Sequence, residues 1–341
     1  MYVSMWIFPG FTKYCKDMID GHGDDAYRYE GIRSDFSSNI CPHADYQRLM
    51  RHLAACPELM GHYPEPEAWS LEEIIAQTHG IAPDQVIVTS GATEAIYLIA
   101  QTFRMRHVMR NPTFREYEDA CLMFSRHDED GQMMWLCNPN NPTGEVYDQS
   151  YIRQMAAQYD LLVIDQSYEY YTDLPVMPPC QAVTLPRVVQ IHSLTKTYAV
   201  PGLRLGYITA PSALTWLIRR NMRPWSVSAI AIEAGKYLLT HSEMICKPDF
   251  AEAQRLRTNL LQTGYVEVED THTNFILCAV KDCTAALLKD YLAKKKGLLI
   301  RDASNFKGLT ARHFRVAAQL PEENDALVAA IKDFMVNRRY E

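Results

Sequence analysis

Short, strongly apolar runs alternate with helix-patterned stretches through the middle of the chain. Val86-Ile87-Val88-Thr89, residues 133–137, Leu161–Asp165, residues 188–191 and Gly206–Thr209 each read as a buried strand. Runs this short and this apolar fit a strand covered on both faces. Ser70-Leu71-Glu72-Glu73 predicts a capping box, with Ser70 at the cap and a helix running through Gln77 to end near Gly80. A second helix is predicted over 95–103, directly after Ser90-Gly91-Ala92-Thr93-Glu94. Beyond Pro211 a helical region extends to about His241, interrupted at Arg223-Pro224-Trp225.

From residue 250 the pattern becomes one of helices with short strands, Phe275-Ile276-Leu277 and Leu298-Leu299-Ile300, closing on an amphipathic helix over 322–336. Alternation of this kind predicts an α/β fold with a large, mostly parallel sheet and a smaller C-terminal α/β domain. The expected divisions are an arm over 1–45, a large domain over 46–225, and a linker helix with the small domain over 226–341. The arm is rich in Gly, Asp and aromatic residues, and its aromatic content argues against complete disorder.

Composition narrows the function classes. The net charge of -7 argues against a nucleic-acid surface, and no basic run offsets it. No apolar run approaches the roughly 18 residues that a membrane helix needs. The apolar start at 1–9 lacks the basic residues of a signal peptide. Nine cysteines, with no C-x-x-C pair and no His/Cys ligand spacing, suggest reduced thiols in a cytoplasmic protein with no metal site.

The chemistry gathers where the strands end. Gly91, Asn141, Asp165, Tyr168, Lys196 and Arg204 all follow C-terminal strand ends, the edge at which open α/β sheets bind ligands. Lys196 stands in the hydroxyl-rich turn Ser193-Leu194-Thr195-Lys196-Thr197, and such a lysine can join an aldehyde as a Schiff base. Strand, small-residue turn and helix at 86–103 aim backbone N–H groups of Gly91, Ala92 and Thr93 at an anion. Asp165 ends a buried strand and must be paired there. Together these groups meet the needs of pyridoxal 5′-phosphate (PLP). Lys196 suits the aldehyde and Asp165 the ring nitrogen, while Asn141 and Tyr168 can donate to the phenolate. Residues 91–93, Ser193 and Arg204 suit the phosphate.

Asn141-Pro142-Thr143-Gly144, Asp165-Gln166-Ser167-Tyr168, and Ser193-Leu194-Thr195-Lys196 with Arg204 carry a resemblance over nearly the whole chain. The sequence resembles the fold type I PLP enzymes of the class I/II aminotransferase superfamily. The resemblance implies that Phe114 stacks on the cofactor ring, with Tyr117 as the alternative. It also implies that Tyr63, in Tyr63-Pro64, reaches the PLP phosphate of a neighbouring subunit, so that a homodimer shares its sites.

Within the superfamily the sequence is most similar to the branch that holds histidinol-phosphate aminotransferases and threonine-phosphate decarboxylases. Gly21-His22-Gly23, Asp35-Phe36-Ser37-Ser38-Asn39-Ile40, Pro224-Trp225-Ser226-Val227, and Ile300-Arg301 through Asn305-Phe306 with Arg315-Val316-Ala317 carry that likeness. It implies that Arg315 holds a substrate carboxylate and that His22, Asn39 and Arg301 contact a distal phosphate. The leading expectation is decarboxylation of L-threonine-O-3-phosphate for cobalamin synthesis. The alternative is amino transfer on histidinol phosphate or an aromatic amino acid. A PLP-binding regulator would need a DNA-binding extension, for which the arm is too short and insufficiently basic. Two features depart from the pattern. Asp24 and Asp25 follow the His-Gly pair, and acids beside a phosphate repel it unless they point away or pair with a cation. Gln319 stands where a further arginine is expected.

Overall fold

The computed structural model describes residues 25–42, 44–124 and 131–337. Its strands, in chain order, are β1 (Ser34–Asp35), β2 (Val86–Thr89), β3 (Arg106–Met109), β4 (Gln132–Cys137), β5 (Leu161–Asp165) and β6 (Val188–Ser193). They continue as β7 (Gly206–Thr209), β8 (Val266–Val268), β9 (Phe275–Val280), β10 (Leu298–Leu299), β11 (Arg301–Asp302) and β12 (His313–Ala317). The large sheet runs in the order β2-β7-β6-β5-β4-β3. Only β7 opposes the others, because it pairs antiparallel with both β2 and β6. The C-terminal ends of β2, β4, β5 and β6 therefore meet along one edge, where β7 begins.

Both faces of this sheet are covered, which explains why its strands are continuous apolar runs rather than alternating ones. Ile87, Trp135, Val163, Val189 and Ile208 pack with Ile96 and Ile99 of the helix Gly91–Phe103. Val86, Val88 and Tyr207 face the other way, against Leu71 and Ile75 of the helix Trp69–His79. Met134, Leu136, Leu162 and Ile164 extend that second face. The edge strand β3 was not legible in the sequence, since Arg106 is exposed and the rest of the strand is only half-buried.

The capping box expected at Ser70 does not form. The helix starts at Trp69 after Ala68, and the Ser70 hydroxyl is buried without a hydrogen-bond partner. Burial of Leu71 and Ile75 fixes the helix rotation, and the Glu65 carboxylate accepts from the Ser70 N–H at 2.9 Å instead. Glu72 turns inward, where it accepts from the Val88 N–H at 3.0 Å and pairs with Arg219 at 2.8 Å. Gly80 ends the helix in a left-handed conformation, as expected. The next helix begins at Gly91 rather than 95. The helical region beyond Pro211 resolves into Ser212–Arg219 and Ala229–Leu239.

A second, antiparallel sheet, β11-β12-β9-β8, packs against the helices Phe250–Gln262, Ala285–Tyr291 and Pro321–Asn337. Leu256, Ile276, Leu288, Phe314 and Ile331 lie in its core. The run read as one strand at Leu298-Leu299-Ile300 divides its pairing. β10 joins β1 of the arm in a parallel pair, and β11 joins β12. The arm is thus built into this lobe, with Phe36 fully buried in the lobe's core and the Ala317 N–H donating to the Phe36 carbonyl at 2.9 Å. Among the described residues no helix is long and apolar enough to cross a membrane.

Candidate active site

A cavity of about 340 Å³ opens at the edge where β2, β4, β5 and β6 end. Lys196, Ser193, Thr195, Arg204, Ala92, Thr93, Phe114, Asn141, Asp165, Tyr168, Asn39, Arg301 and Arg315 all line it. Lys196 rides on the four-residue helix Leu194–Thr197 that follows β6. Its carbonyl accepts from the Tyr171 hydroxyl at 3.1 Å, which pins the turn, and its Nζ lies 5.8 Å from the centre of the Tyr168 ring.

The end of the cavity beside Lys196 suits an anion. The first N–H groups of the 13-residue helix Gly91–Phe103 have no acceptor within the helix. Gly91 adopts φ +79°, and a Cβ built there would lie 2.6 Å from Nη2 of Arg204. Only glycine lets the guanidinium close against the helix start. Thr195, which sequence reasoning passed over, contributes a buried hydroxyl with no hydrogen-bond partner. Its place between Ser193 and Lys196 was the available signal.

At the opposite side of the turn Asp165 is buried at the end of β5. Its Oδ2 accepts from the Tyr117 hydroxyl at 2.7 Å and its Oδ1 from the Ser167 N–H at 2.8 Å. Burial raises its pKa, against the lowering effect of the Ser167 and Tyr117 hydrogen bonds. A carboxylate held in this way is stabilised by a cationic ring nitrogen.

Phe114 lines the cavity, edge-on to Tyr117 with ring centres 5.6 Å apart. Tyr117, the alternative for the stacking ring, also lines the cavity. Its ring stacks on Trp135 at 5.2 Å and its hydroxyl is taken up by Asp165, so it serves as a support for the carboxylate. Burial pushes the Tyr168 phenol up to about 12, which keeps it a proton donor near neutral pH. Its oxygen accepts from Nδ2 of Asn39 at 3.4 Å.

The far end of the cavity is cationic. Arg315 donates from Nη1 to Oδ1 of Asn141 at 2.5 Å and from Nη2 to the Ser37 carbonyl. Because guanidinium only donates, this contact fixes the Asn141 amide with its NH2 group still able to donate. Arg301 donates to the Asp302 carbonyl at 2.6 Å and to Oδ1 of Asn305 at 2.9 Å. Burial lowers Arg301 to about 10, still above neutral pH, and it lowers Arg315 as well. Asp25, one of the two acids that depart from the family pattern, pairs with Lys289 at 2.6 Å. Gln319 donates back to the Ala317 carbonyl at 3.2 Å.

His22 and Asp24 lie outside the described residues. Tyr63 is 85% exposed, against Trp225 with ring centres 5.4 Å apart, and does not line the cavity of its own chain. Away from the cavity, His52, Cys56 and Glu233 bring three potential ligand atoms within 4.8 Å of one another, an arrangement that sequence spacing did not suggest. Glu233 already pairs there with His52 at 2.8 Å and Lys236 at 2.7 Å.

The orphaned Thr195 hydroxyl and the Arg204 cradle at Gly91 fit a phosphate, while Lys196 and Asp165 fit an aldehyde and a pyridine nitrogen. Fold and cavity together define a PLP-dependent enzyme of fold type I. The chain belongs to the aminotransferase class I and II family, whose model matches residues 122–331. It is 31% identical to a Caldanaerobacter subterraneus protein assigned as a threonine-phosphate decarboxylase, over 91% of this chain and 93% of that one. It is 25% identical to a histidinol-phosphate aminotransferase of Desulfitobacterium hafniense, over 89% and 92% of the two chains. Among solved structures, L-threonine-O-3-phosphate decarboxylase from Porphyromonas gingivalis matches with a TM-score of 0.85 and 34% identity, over 89% of this chain and 99% of that one.

Proposed function

We propose that the protein decarboxylates a phosphorylated amino acid, with L-threonine-O-3-phosphate as the substrate. The observation that carries this reading is the pair of buried guanidiniums, Arg301 and Arg315, at one end of the cavity. Two adjacent cations favour a substrate with two anionic groups over one with a single carboxylate. The similarity to threonine-phosphate decarboxylases supports the same choice.

The roles follow from position. Arg315, fixed by Asn141 and the Ser37 carbonyl, holds the substrate carboxylate. Arg301 and Asn39 hold the distal phosphate. The Gly91-Ala92-Thr93 N–H groups, Ser193, Thr195 and Arg204 hold the cofactor phosphate. Phe114 covers the ring, and Asn141 and Tyr168 donate to its phenolate oxygen. Asp165 keeps the ring nitrogen protonated, with the Tyr117 hydroxyl fixing the carboxylate. When bound, PLP supplies an electron sink for the pair released at the substrate α-carbon. Lys196 would hold the cofactor through its aldehyde, and its side-chain amine would move the proton at the substrate α-carbon.

Orientation of the substrate carboxylate decides which bond breaks. Arg315 is anchored on two sides and sets that orientation. Tyr63, exposed beside Trp225, reaches the cofactor phosphate of a neighbouring subunit, which makes the working form a homodimer. The PLP-loaded protein incubated with L-threonine-O-3-phosphate releases carbon dioxide without a keto-acid acceptor. Keto-acid production that depends on 2-oxoglutarate, with no carbon dioxide, overturns decarboxylation in favour of amino transfer. For the shared site, a mixture of Lys196→Ala and Tyr63→Ala chains regains part of the activity that each lacks alone; no recovery after subunit exchange overturns it.

A further inference from the structure

Two helices outside the cavity bring three metal-ligating side chains together. His52 lies in the last turn of the helix Gln47–Ala54, and Cys56 follows just past its end. That one-turn spacing returns the chain to the same side, with Cys56 Sγ 3.6 Å from the His52 carbonyl. Glu233 comes from the facing helix Ala229–Leu239 and places Oε1 2.8 Å from Nε2 of His52. One sulfur, one ring nitrogen and one carboxylate oxygen thus lie within 4.8 Å of one another. The His52 ring stacks on Tyr237 with centres 4.3 Å apart, which limits its rotation. All three residues are partly buried.

We propose that His52, Cys56 and Glu233 form a zinc site that ties the helix Gln47–Ala54 to the helix Ala229–Leu239. Tetrahedral zinc, with bonds of about 2.0–2.3 Å, separates its ligand atoms by roughly 3.3–3.8 Å. A pair at 2.8 Å in a set that spans no more than 4.8 Å needs only small side-chain adjustments to reach that spacing. Thiolate, imidazole and carboxylate make a mixed donor set that suits zinc, whereas magnesium and calcium take oxygen ligands. Three protein ligands leave one position for water, which the partial exposure of His52 and Glu233 admits. The carbonyl end of the helix Gln47–Ala54 adds negative partial charge on the same side. On binding, the Cys56 thiol gives its proton to solvent, and the His52 ring keeps its proton on Nδ1. Lys236 opposes the ion, but its Nζ pairs with Oε2 of Glu233 at 2.7 Å and leaves Oε1 to ligate. The sequence expectation of no metal site rested on cysteine and histidine spacing, and the third ligand here comes from a distant helix.

The test uses the full-length PLP-loaded protein, stripped of metal by a chelator that is then dialysed away. Zinc chloride is added, and bound zinc is measured by equilibrium dialysis with elemental analysis. The expected result is one zinc per chain, not displaced by magnesium or calcium. Cobalt(II) in its place gives ligand-field bands to the red of the cofactor absorbance. Cys56→Ser and His52→Gln each weaken zinc binding by at least about 100-fold, while the retained cofactor absorbance shows that they have folded. Lys236→Met removes the neighbouring cation and tightens binding by about tenfold. Failure of the unaltered protein to retain zinc overturns the proposal. So does zinc that survives both ligand substitutions, or that shifts the cofactor absorbance and so sits at the cofactor instead. An affinity unchanged by Lys236→Met places the ion away from Glu233 and overturns it as well.

Discussion

Arg301 and Arg315 are register partners across β11 and β12, so two guanidiniums stand side by side on one face of a sheet and both are buried. Like charges directly opposite each other oppose strand pairing. Such a pair persists because the fold around it, through Asn141, Ser37 and Asn305, holds each cation by hydrogen bonds. Two retained cations at one end of a cavity mark a substrate with two anionic groups.

Arg315→Lys keeps the charge and loses the fork that reaches both Asn141 and Ser37. The expected loss in kcat/KM is about 100-fold, corresponding to about 2.7 kcal/mol. Steady-state kinetics on threonine phosphate check this. A change below about threefold would remove Arg315 from carboxylate binding.

Gly91→Ala places a methyl group against the Arg204 guanidinium at a φ that alanine rarely adopts. PLP affinity falls by at least about tenfold, measured by titrating the visible absorbance of the loaded protein. Gly202→Ala, where an added Cβ meets nothing within 4 Å, leaves the affinity unchanged and serves as the control.

Tyr117→Phe removes the hydroxyl that donates to Asp165 and lowers its pKa. Asp165 then takes up a proton at a higher pH than before. The acid limb of the pH–kcat profile moves upward, and kcat at neutral pH falls by about tenfold. An unmoved acid limb with a lower kcat would mean that Tyr117 serves packing alone.

Behind the sheet, burial lowers His79 to about 4, where its Nε2 lies 2.7 Å from the Tyr207 hydroxyl. The unfolded chain therefore binds more protons at this position between pH 4 and 6.5, and stability rises with pH across that window. Below pH 4 both states are protonated and the contribution of neutral His79 is gone. Urea midpoints at pH 7 and pH 5 measure the slope, which amounts to at most about 3 kcal/mol over the full shift. His79→Gln flattens it. An equal slope in the variant would assign the acid sensitivity to other groups.

The strands and the polar residues at their ends were legible because burial on both faces writes itself into sequence as unbroken apolar runs. Asp165, Lys196, Asn141 and Gly91 could be placed on one edge for that reason alone. The role of Tyr117 could not, because its hydroxyl reaches Asp165 only when the helix Glu116–Phe124 lies beside β5, a relation that no local pattern encodes. Ser70 misled for a similar reason: the core positions of Leu71 and Ile75 set the helix rotation before its cap chemistry could. The arm read as irregular because β1 is two residues long, and its partner β10 lies near the opposite end of the chain.

That last pairing bears on how the protein is made. The large sheet is complete once Thr209 has been synthesised, so the strand ends that carry Asp165, Ser193 and the Gly91 turn all precede the C-terminal lobe in chain order. β1 must wait for β10, and the Ser37 carbonyl must wait for Arg315, before the substrate end of the cavity has walls. Loop closure over such a span is slow relative to local pairing. The walls at the substrate end of the cavity are therefore the part of the site that chain order completes last.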